Sequence, residues 1–334
     1  MQTNNCQPSS LLKITIRLRP TEYSQKKRQT GMSTESPALP APPPPPPLAP
    51  PHPTVLGSRK KKLYQAIAEG RSPIQGDHDE PRLLLRQREG SFRKDLQWAL
   101  FNKYVPSLIQ DGPQCGLVAL WMAAQLLQPP VEVPMEQLVQ MAIQRGYTTQ
   151  GELFSAHHMA LLAEEVCGCR AERLSGGMGG ANSGHILRHL SAGLPVLIPY
   201  DEDFNHEPCL RSGHRAHWAV ASGVVLGVAR GSLEEGRFRA DPALPWLLLP
   251  LDGPCWWGEG VEEAEEAYVL AKQGKSLRYQ LWPLEALERS NSQLQEMDPQ
   301  RAADGSPYVL PQGGVGAGLA GQVVLLHGHT DKHD

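Results

Sequence analysis

The chain has 334 residues, of which 40% are hydrophobic and 20% charged, with a formal net charge of -3. That length buries a real core and the composition is ordinary for a globular protein, while the charge lacks the basic footprint of a nucleic-acid binder. Leu117 to Ala124, the longest clean apolar run near the middle, is far short of the roughly 20 residues of a membrane-spanning helix.

In chain order, Leu11 to Leu18 is only partly apolar and carries Lys13 and Arg17, so no signal peptide is expected. Residues 1–57 read as a disordered proline-rich tail. Six consecutive prolines, Pro42 to Pro47, cannot enter a helix or a central strand and favour a polyproline II rod. Such a rod serves equally as a stiff linker or as a docking site for a proline-binding partner. Residues 58–90 read as a basic, partly helical lead-in, with a basic run from Arg59 to Lys62 and a short helix ending at Gly70. The folded domain is expected over 91–334. Phe92, Leu96 and Leu100, with Trp98, suggest a helix with one apolar face.

After Pro106 comes the turn Ser107-Leu-Ile-Gln-Asp-Gly-Pro-Gln-Cys-Gly, then a segment apolar on nearly every side that ends at Pro129 and Pro130. A helix apolar all round is normally buried at the centre of a domain. Helices are expected over about 134–145, 155–166 and 185–192, with a glycine-rich loop at 175–184. Pro195 to Tyr200 and Ala216 to Val225 read as buried strands separated by a long polar loop. Residues 230–266 read as irregular. Further strands are expected at 268–271, 278–282, 308–310 and 322–326. Helices first and strands later favour an α+β domain.

The chemistry centres on Cys115. There are six cysteines, Cys6, Cys115, Cys167, Cys169, Cys209 and Cys255, without regular spacing. In a long chain with no secretory signal they read as free thiols in a reducing, cytosolic compartment. A thiol attacks as thiolate, and a helix N-terminus lowers its pKa. Cys115 stands at such a point. His217 opens the second strand, where a rigid backbone can hold an imidazole against a thiol. Gln110 and Gln114 precede Cys115 closely enough to donate to an oxyanion.

The run Gln110-Asp-Gly-Pro-Gln-Cys115-Gly-Leu-Val-Ala-Leu-Trp-Met, followed about a hundred residues later by His217-Trp-Ala-Val, resembles the C39-like branch of papain-like cysteine peptidases. Arg145 to Glu152, Leu197 to Cys209 and Lys272 to Ser276 extend the likeness to those members that process the N-terminus of actin. The resemblance implies a papain-like α+β fold with no cofactor. It implies Cys115 as nucleophile, His217 as base and Gln110 as the better oxyanion donor, with Gln114 shaping the turn. It also implies removal of an N-acetylated Met or Cys to expose an acidic residue, and profilin as partner of the proline-rich tail. The family's His-orienting Asp or Asn is missing after the expected strand at 267–271, where Lys272-Gln273-Gly274 follows. Gln273 is the replacement through its amide oxygen, ahead of Asp241 and Asn291.

An acidic product end calls for cationic neighbours, and Arg211, His214, Arg215, Lys272 and Lys275 flank the two segments; Arg215 and Lys275, with Gln114, are the leading substrate-binding candidates. His206-x-x-Cys209 with His214-x-x-His217 has the composition of a zinc site but not the paired spacing, and zinc would consume the base. Asp201-Glu-Asp203 reads as solvated loop acids. Gly274-Lys275-Ser276 lacks the first glycine of a P-loop. Gly316-Ala-Gly318-Leu-Ala-Gly321 lies too near the end for a dinucleotide-binding unit and reads as a glycine hairpin or a crowded backbone. The competing functions are a catalytically silent adaptor and another thiol acyl-transfer enzyme such as a deubiquitinase.

Overall fold

The structure is a computed structural model describing residues 79–234, 236–251 and 264–329. The proline-rich tail, the basic run, the helix expected to end at Gly70, Cys6 and Cys255 lie outside these residues.

Helix α1 (Asp79–Gln87) carries Asp79 and Glu80 in its first turn and Arg86 in its last, complementing the helix dipole. Its Leu85 is buried in the main core. Glu80 accepts from Lys272 Nζ at 3.0 Å and from the Tyr279 N–H at 2.8 Å, and Arg82 reaches Asp241 at 2.5 Å. The expected start of the folded domain at residue 91 is therefore too late: the lead-in from Asp79 is pinned to it.

Strand β1 (Leu96–Asn102) replaces the helix expected here. Phe92, Leu96 and Leu100 fit a four-residue spacing, but Trp98, Ala99, Leu100 and Phe101 are all buried. A strand covered on both faces reads as a continuous apolar run, which periodicity cannot tell from a buried helix. There follow α2 (Cys115–Ala124), α3 (Met135–Gln144), α4 (Ala156–Cys167), β2 (Cys169–Leu174) and α5 (Ala181–Ser191). Next come β3 (Val196–Asp201), β4 (Ala216–Ala229), β5 (Phe238–Ala240), β6 (Leu247–Pro250), β7 (Ala264–Gln273) and β8 (Gln280–Pro283). Helices α6 (Leu284–Ser292), α7 (Pro299–Ala303) and α8 (Gly314–Leu319) precede β9 (Val323–His329). Residues 308–310 form no strand, contrary to expectation. The late glycine run is the helix α8, and a Cβ on Gly318 would lie 1.9 Å from the Phe154 carbonyl oxygen, so crowding explains that glycine.

The described residues form one nine-stranded sheet, antiparallel except where β1 runs parallel to β6. β4 organises it. One edge pairs with β7 from Ala219 to Val228. The other edge is shared end to end, with 216–221 on β3 and 223–229 on β1. Alternate residues of its first half face opposite layers. Trp218 and Val220 join the core under α2, α3 and α4, while Ala219 and Ala221 join the core under α5 and α6. The start of β4 therefore stands where the thiol-bearing helix meets the sheet.

Candidate active site

Cys115 is the first residue of α2, after a turn that passes through Gly112 with φ +57°. The first intrahelical bond runs from the Val118 N–H to the Gln114 carbonyl at 2.9 Å. The N–H groups of Cys115, Gly116 and Leu117 have no partner within the helix. Gly116 seats the helix on the sheet: a Cβ there would lie 3.1 Å from Trp218 Cδ1 and 3.2 Å from Leu153 Cβ. Trp218 is held by its indole N–H, which donates to the Leu153 carbonyl at 2.8 Å. Its backbone N–H donates to the Cys115 sulfur. The helix start was expected to lower the thiol pKa. Burial instead pushes it up, outweighing the Trp218 N–H and the charges of Lys275 and Arg301.

His217 is buried at the start of β4, across from Tyr200 on β3. Its Nε2 is 3.1 Å from Gln273 Oε1, at the end of β7. The same oxygen accepts the Lys275 backbone N–H at 2.6 Å. A backbone N–H only donates, so it identifies this amide atom as the oxygen. That oxygen in turn requires His217 Nε2 to carry the proton. The Nδ1 lone pair is left to accept one. Burial lowers the His217 pKa to about 4, against the opposing charge of Glu202. Both shifts point the same way: the resting pair is a neutral thiol and a neutral imidazole.

Glu202 is the group the sequence reading missed. It is 1% exposed, and its carboxylate gathers Lys275 Nζ, Arg215 at 3.5 Å, His206 Nδ1 at 3.1 Å and, at 4.0 Å, His217 Nδ1. Burial pushes its pKa up, but His217 and Lys275 outweigh that and hold it below the ordinary carboxylate value. Its neighbour Asp201, also buried, accepts the N–H groups of Arg211 (2.7 Å), Gly213 (3.0 Å) and Arg215 (2.8 Å). Asp201 thus folds the 202–215 loop back onto the strand. Neither acid is a solvated loop residue, because β3 runs one residue further than expected and the loop closes over its end.

Cys115, His217, Gln110, Arg215 and Lys275 line one cleft of about 710 Å³. Gln110 is fixed by its backbone N–H, which donates to the Gly274 carbonyl at 2.7 Å. Its Nε2 donates to the Gly112 carbonyl at 2.8 Å, which uses one of its two N–H bonds. Glycine is required at 274, since a Cβ there would lie 2.8 Å from Gln110 Oε1. Gln114 belongs elsewhere: its side chain presses on Gly151 and lines a separate groove with Leu108 and Val139. Gln150, Glu152, Phe154, Arg301 and Tyr308 line the same cleft. The Glu152 carboxylate closes the 148–152 turn by accepting from Thr148 Oγ1 at 2.7 Å and the Gln150 N–H at 2.9 Å.

The other residues singled out have different employment. Lys272 is buried between Glu80 and Ser107 and away from the cleft. Arg211 lies over the Phe204 ring at 5.3 Å, and His214 pairs with Glu296 at 3.3 Å. Asp241 binds Arg82, and Asn291 donates to the carbonyls of Pro199 and Gln322, so neither orients His217. His214 turns to Glu296, away from the Glu202 that His206 and His217 share, and among the described residues no group of three or more His, Cys, Asp or Glu side chains could hold a metal ion. The four described cysteines, Cys115, Cys167, Cys169 and Cys209, are free thiols.

Residues 105–225 match the family model described as actin maturation protease-like, C-terminal domain. The chain is 63% identical over 276 residues to an actin maturation protease of Danio rerio, covering 82% of this chain and 89% of that protein. It is 50% identical over 288 residues to the Homo sapiens protein of the same name (85% and 81% covered). Identity to the Drosophila melanogaster protein is 33% over 227 residues (67% and 69%). A solved C39-like peptidase from Bacillus anthracis aligns with a TM-score of 0.35 at 13% identity, covering 66% of this chain and 94% of that one.

Proposed function

Because the chain belongs to the actin maturation protease family, we propose that it is a cysteine aminopeptidase that removes the N-acetylated Met or Cys from actin and leaves an acidic residue first. The observation that carries the mechanism is the His217–Gln273–Lys275 network, which fixes the imidazole proton on Nε2 in a cleft shared with the Cys115 thiol.

The thiol proton passes to His217 Nδ1 as the sulfur attacks the first peptide carbonyl. The unpaired N–H groups at the start of α2 and the second N–H of Gln110 Nε2 stabilise the oxyanion. His217 then returns the proton to the leaving amine, which departs as the shortened actin chain. The acetylated residue stays on Cys115 as a thioester. Water, deprotonated by His217, releases it and restores the thiol. Gln273 holds the ring through both half-reactions, and Glu202 stabilises the transient imidazolium from 4.0 Å.

The proline-rich tail at residues 1–57 has the composition to recruit profilin, which binds polyproline rods and carries actin. A cytosolic site of action fits that partner. Among the described residues no helix is long and apolar enough to cross a membrane.

The test is intact-mass analysis of N-acetylated actin peptide after incubation with wild-type and Cys115→Ala protein. Loss of one acetylated residue with the wild type only is the expected result. Equal trimming by Cys115→Ala excludes this mechanism, and modification of Cys115 by a ubiquitin-based probe in place of peptide trimming points to the deubiquitinase reading.

A further inference from the structure

Four cationic or protonatable side chains besides His217 line the cleft: His214, Arg215, Lys275 and Arg301. Three are already engaged by acids. Arg215 and Lys275 share Glu202, and His214 pairs with Glu296. An incoming carboxylate at Arg215 or Lys275 therefore meets the charge of a buried internal one. Arg301 differs, since among the described residues no carboxylate forms an ion pair with it.

The acids near Arg301 are committed to backbone and hydroxyl donors. Asp298 caps α7 by accepting the N–H groups of Gln300 at 2.8 Å and Arg301 at 3.1 Å. Asp304 accepts the Ser306 N–H at 2.7 Å and the Tyr308 hydroxyl at 2.8 Å. The guanidinium lies 6.0 Å from the Phe154 ring and 5.9 Å from the Tyr308 ring. A guanidinium carries its donors as a planar fork that can grip a carboxylate with two parallel bonds, and ring faces at this range attract its charge. Arg301 and Cys115 line the same cleft.

We propose that Arg301 is the specificity residue that grips the side-chain carboxylate of the acidic residue following the scissile bond. This deepens the aminopeptidase reading and rests on it. It also moves acid recognition from Arg215 and Lys275, where the sequence placed it, to a residue of α7 in the same cleft. Glu202 gives those two cations a different task, holding the charge beside His217.

The test compares two N-acetyl-Met peptides that differ only in Asp or Asn at the second position. The wild type is expected to favour Asp roughly 10- to 100-fold in kcat/KM, the range of a charge-assisted bidentate pair. Arg301→Gln should bring the Asp/Asn ratio close to one by slowing the Asp peptide, leaving the Asn peptide within about threefold of wild type. Arg301→Lys, which keeps the charge without the fork, should give an intermediate ratio. The ratio does not depend on the fraction of folded enzyme, so a less stable variant remains readable. An undiminished Asp preference in Arg301→Gln overturns the proposal while leaving the aminopeptidase reading intact. Cleavage of neither peptide by the wild type, or equal cleavage by Cys115→Ala, overturns both.

Discussion

Replacing Gln273 by Leu keeps most of the side-chain volume and removes the one oxygen that serves two donors, of which His217 Nε2 is buried. His217 Nε2 loses an acceptor at 3.1 Å and the Lys275 N–H loses one at 2.6 Å. The buried Nε2 donor left without a partner costs about 1–3 kcal/mol, and the part-buried Lys275 N–H adds less, so the Tm should fall clearly. The catalytic loss has a separate origin. With nothing accepting at Nε2, the imidazole proton moves to Nδ1, where Glu202 lies 4.0 Å away. That tautomer has no lone pair on Nδ1 to take the thiol proton. A preference of about 1.4–4 kcal/mol for the wrong tautomer lowers kcat/KM by roughly 10- to 1,000-fold. Gln273→Glu keeps an acceptor for both donors and adds a charge that raises the His217 pKa, so it should retain far more activity than Gln273→Leu. The assay is kcat/KM on an acetylated acidic peptide from pH 4 to 9, alongside thermal melts. Wild-type kinetics in Gln273→Leu, or equal inactivity of the Leu and Glu variants, refutes the orienting role.

Two further predictions follow from the charges. Glu202→Gln removes an anion 4.0 Å from His217 Nδ1, worth about 4 kcal/mol at an effective dielectric constant of about 20. It should lower kcat/KM and push the His217 pKa below its value of about 4; adding Lys275→Gln should recover part of the lost Tm, and strictly additive losses would show the two are uncoupled. The neutral resting pair sets a pH signature. The His217 pKa is depressed from 6.5 to about 4, so the stability gained by keeping the ring neutral is full above about 6.5 and is lost as pH falls through about 4. The acid limb of kcat/KM should accordingly lie near pH 4, and alkylation of Cys115 by iodoacetamide should rise only above the ordinary thiol value of 9.0. Alkylation that is already fast and flat from pH 5 to 8 would instead reveal a preformed thiolate–imidazolium pair.

The catalytic geometry was more legible in the sequence than its electrostatics. A cysteine at the head of an all-apolar segment, after a Gly-Pro-Gln turn, marks a buried helix start whatever surrounds it. Pro195 to Tyr200 and Ala216 to Val225 read as strands because apolar runs of that length between polar loops have few other uses. β1 was misread because a strand covered on both faces and a buried helix share one pattern. Glu202 was hidden for a different reason. Its partners His206, Arg215 and His217 follow it along a loop and strand start that read as solvated, and Lys275 comes from a distant segment, so they meet around it only in the fold. The expectation that the helix start lowers the thiol pKa rests on a real local effect and lacks the larger one, burial of the thiol. Arg301 sits on the five-residue helix α7, too short to show any period. Gln273 was named as the orienting residue only because the usual carboxylate was missing from its place; the tautomer argument needed the Lys275 N–H.

The central claim is that Cys115 carries the substrate as a thioester. Mixing wild-type protein with N-acetyl-Met-Asp peptide, quenching in acid within the first turnover and mapping the adduct by mass spectrometry tests it directly. The account requires an acetyl-methionyl group on the tryptic peptide containing Cys115, formed in step with the first release of shortened peptide. Continued turnover with that adduct absent, or with the acyl group on any other residue, contradicts it.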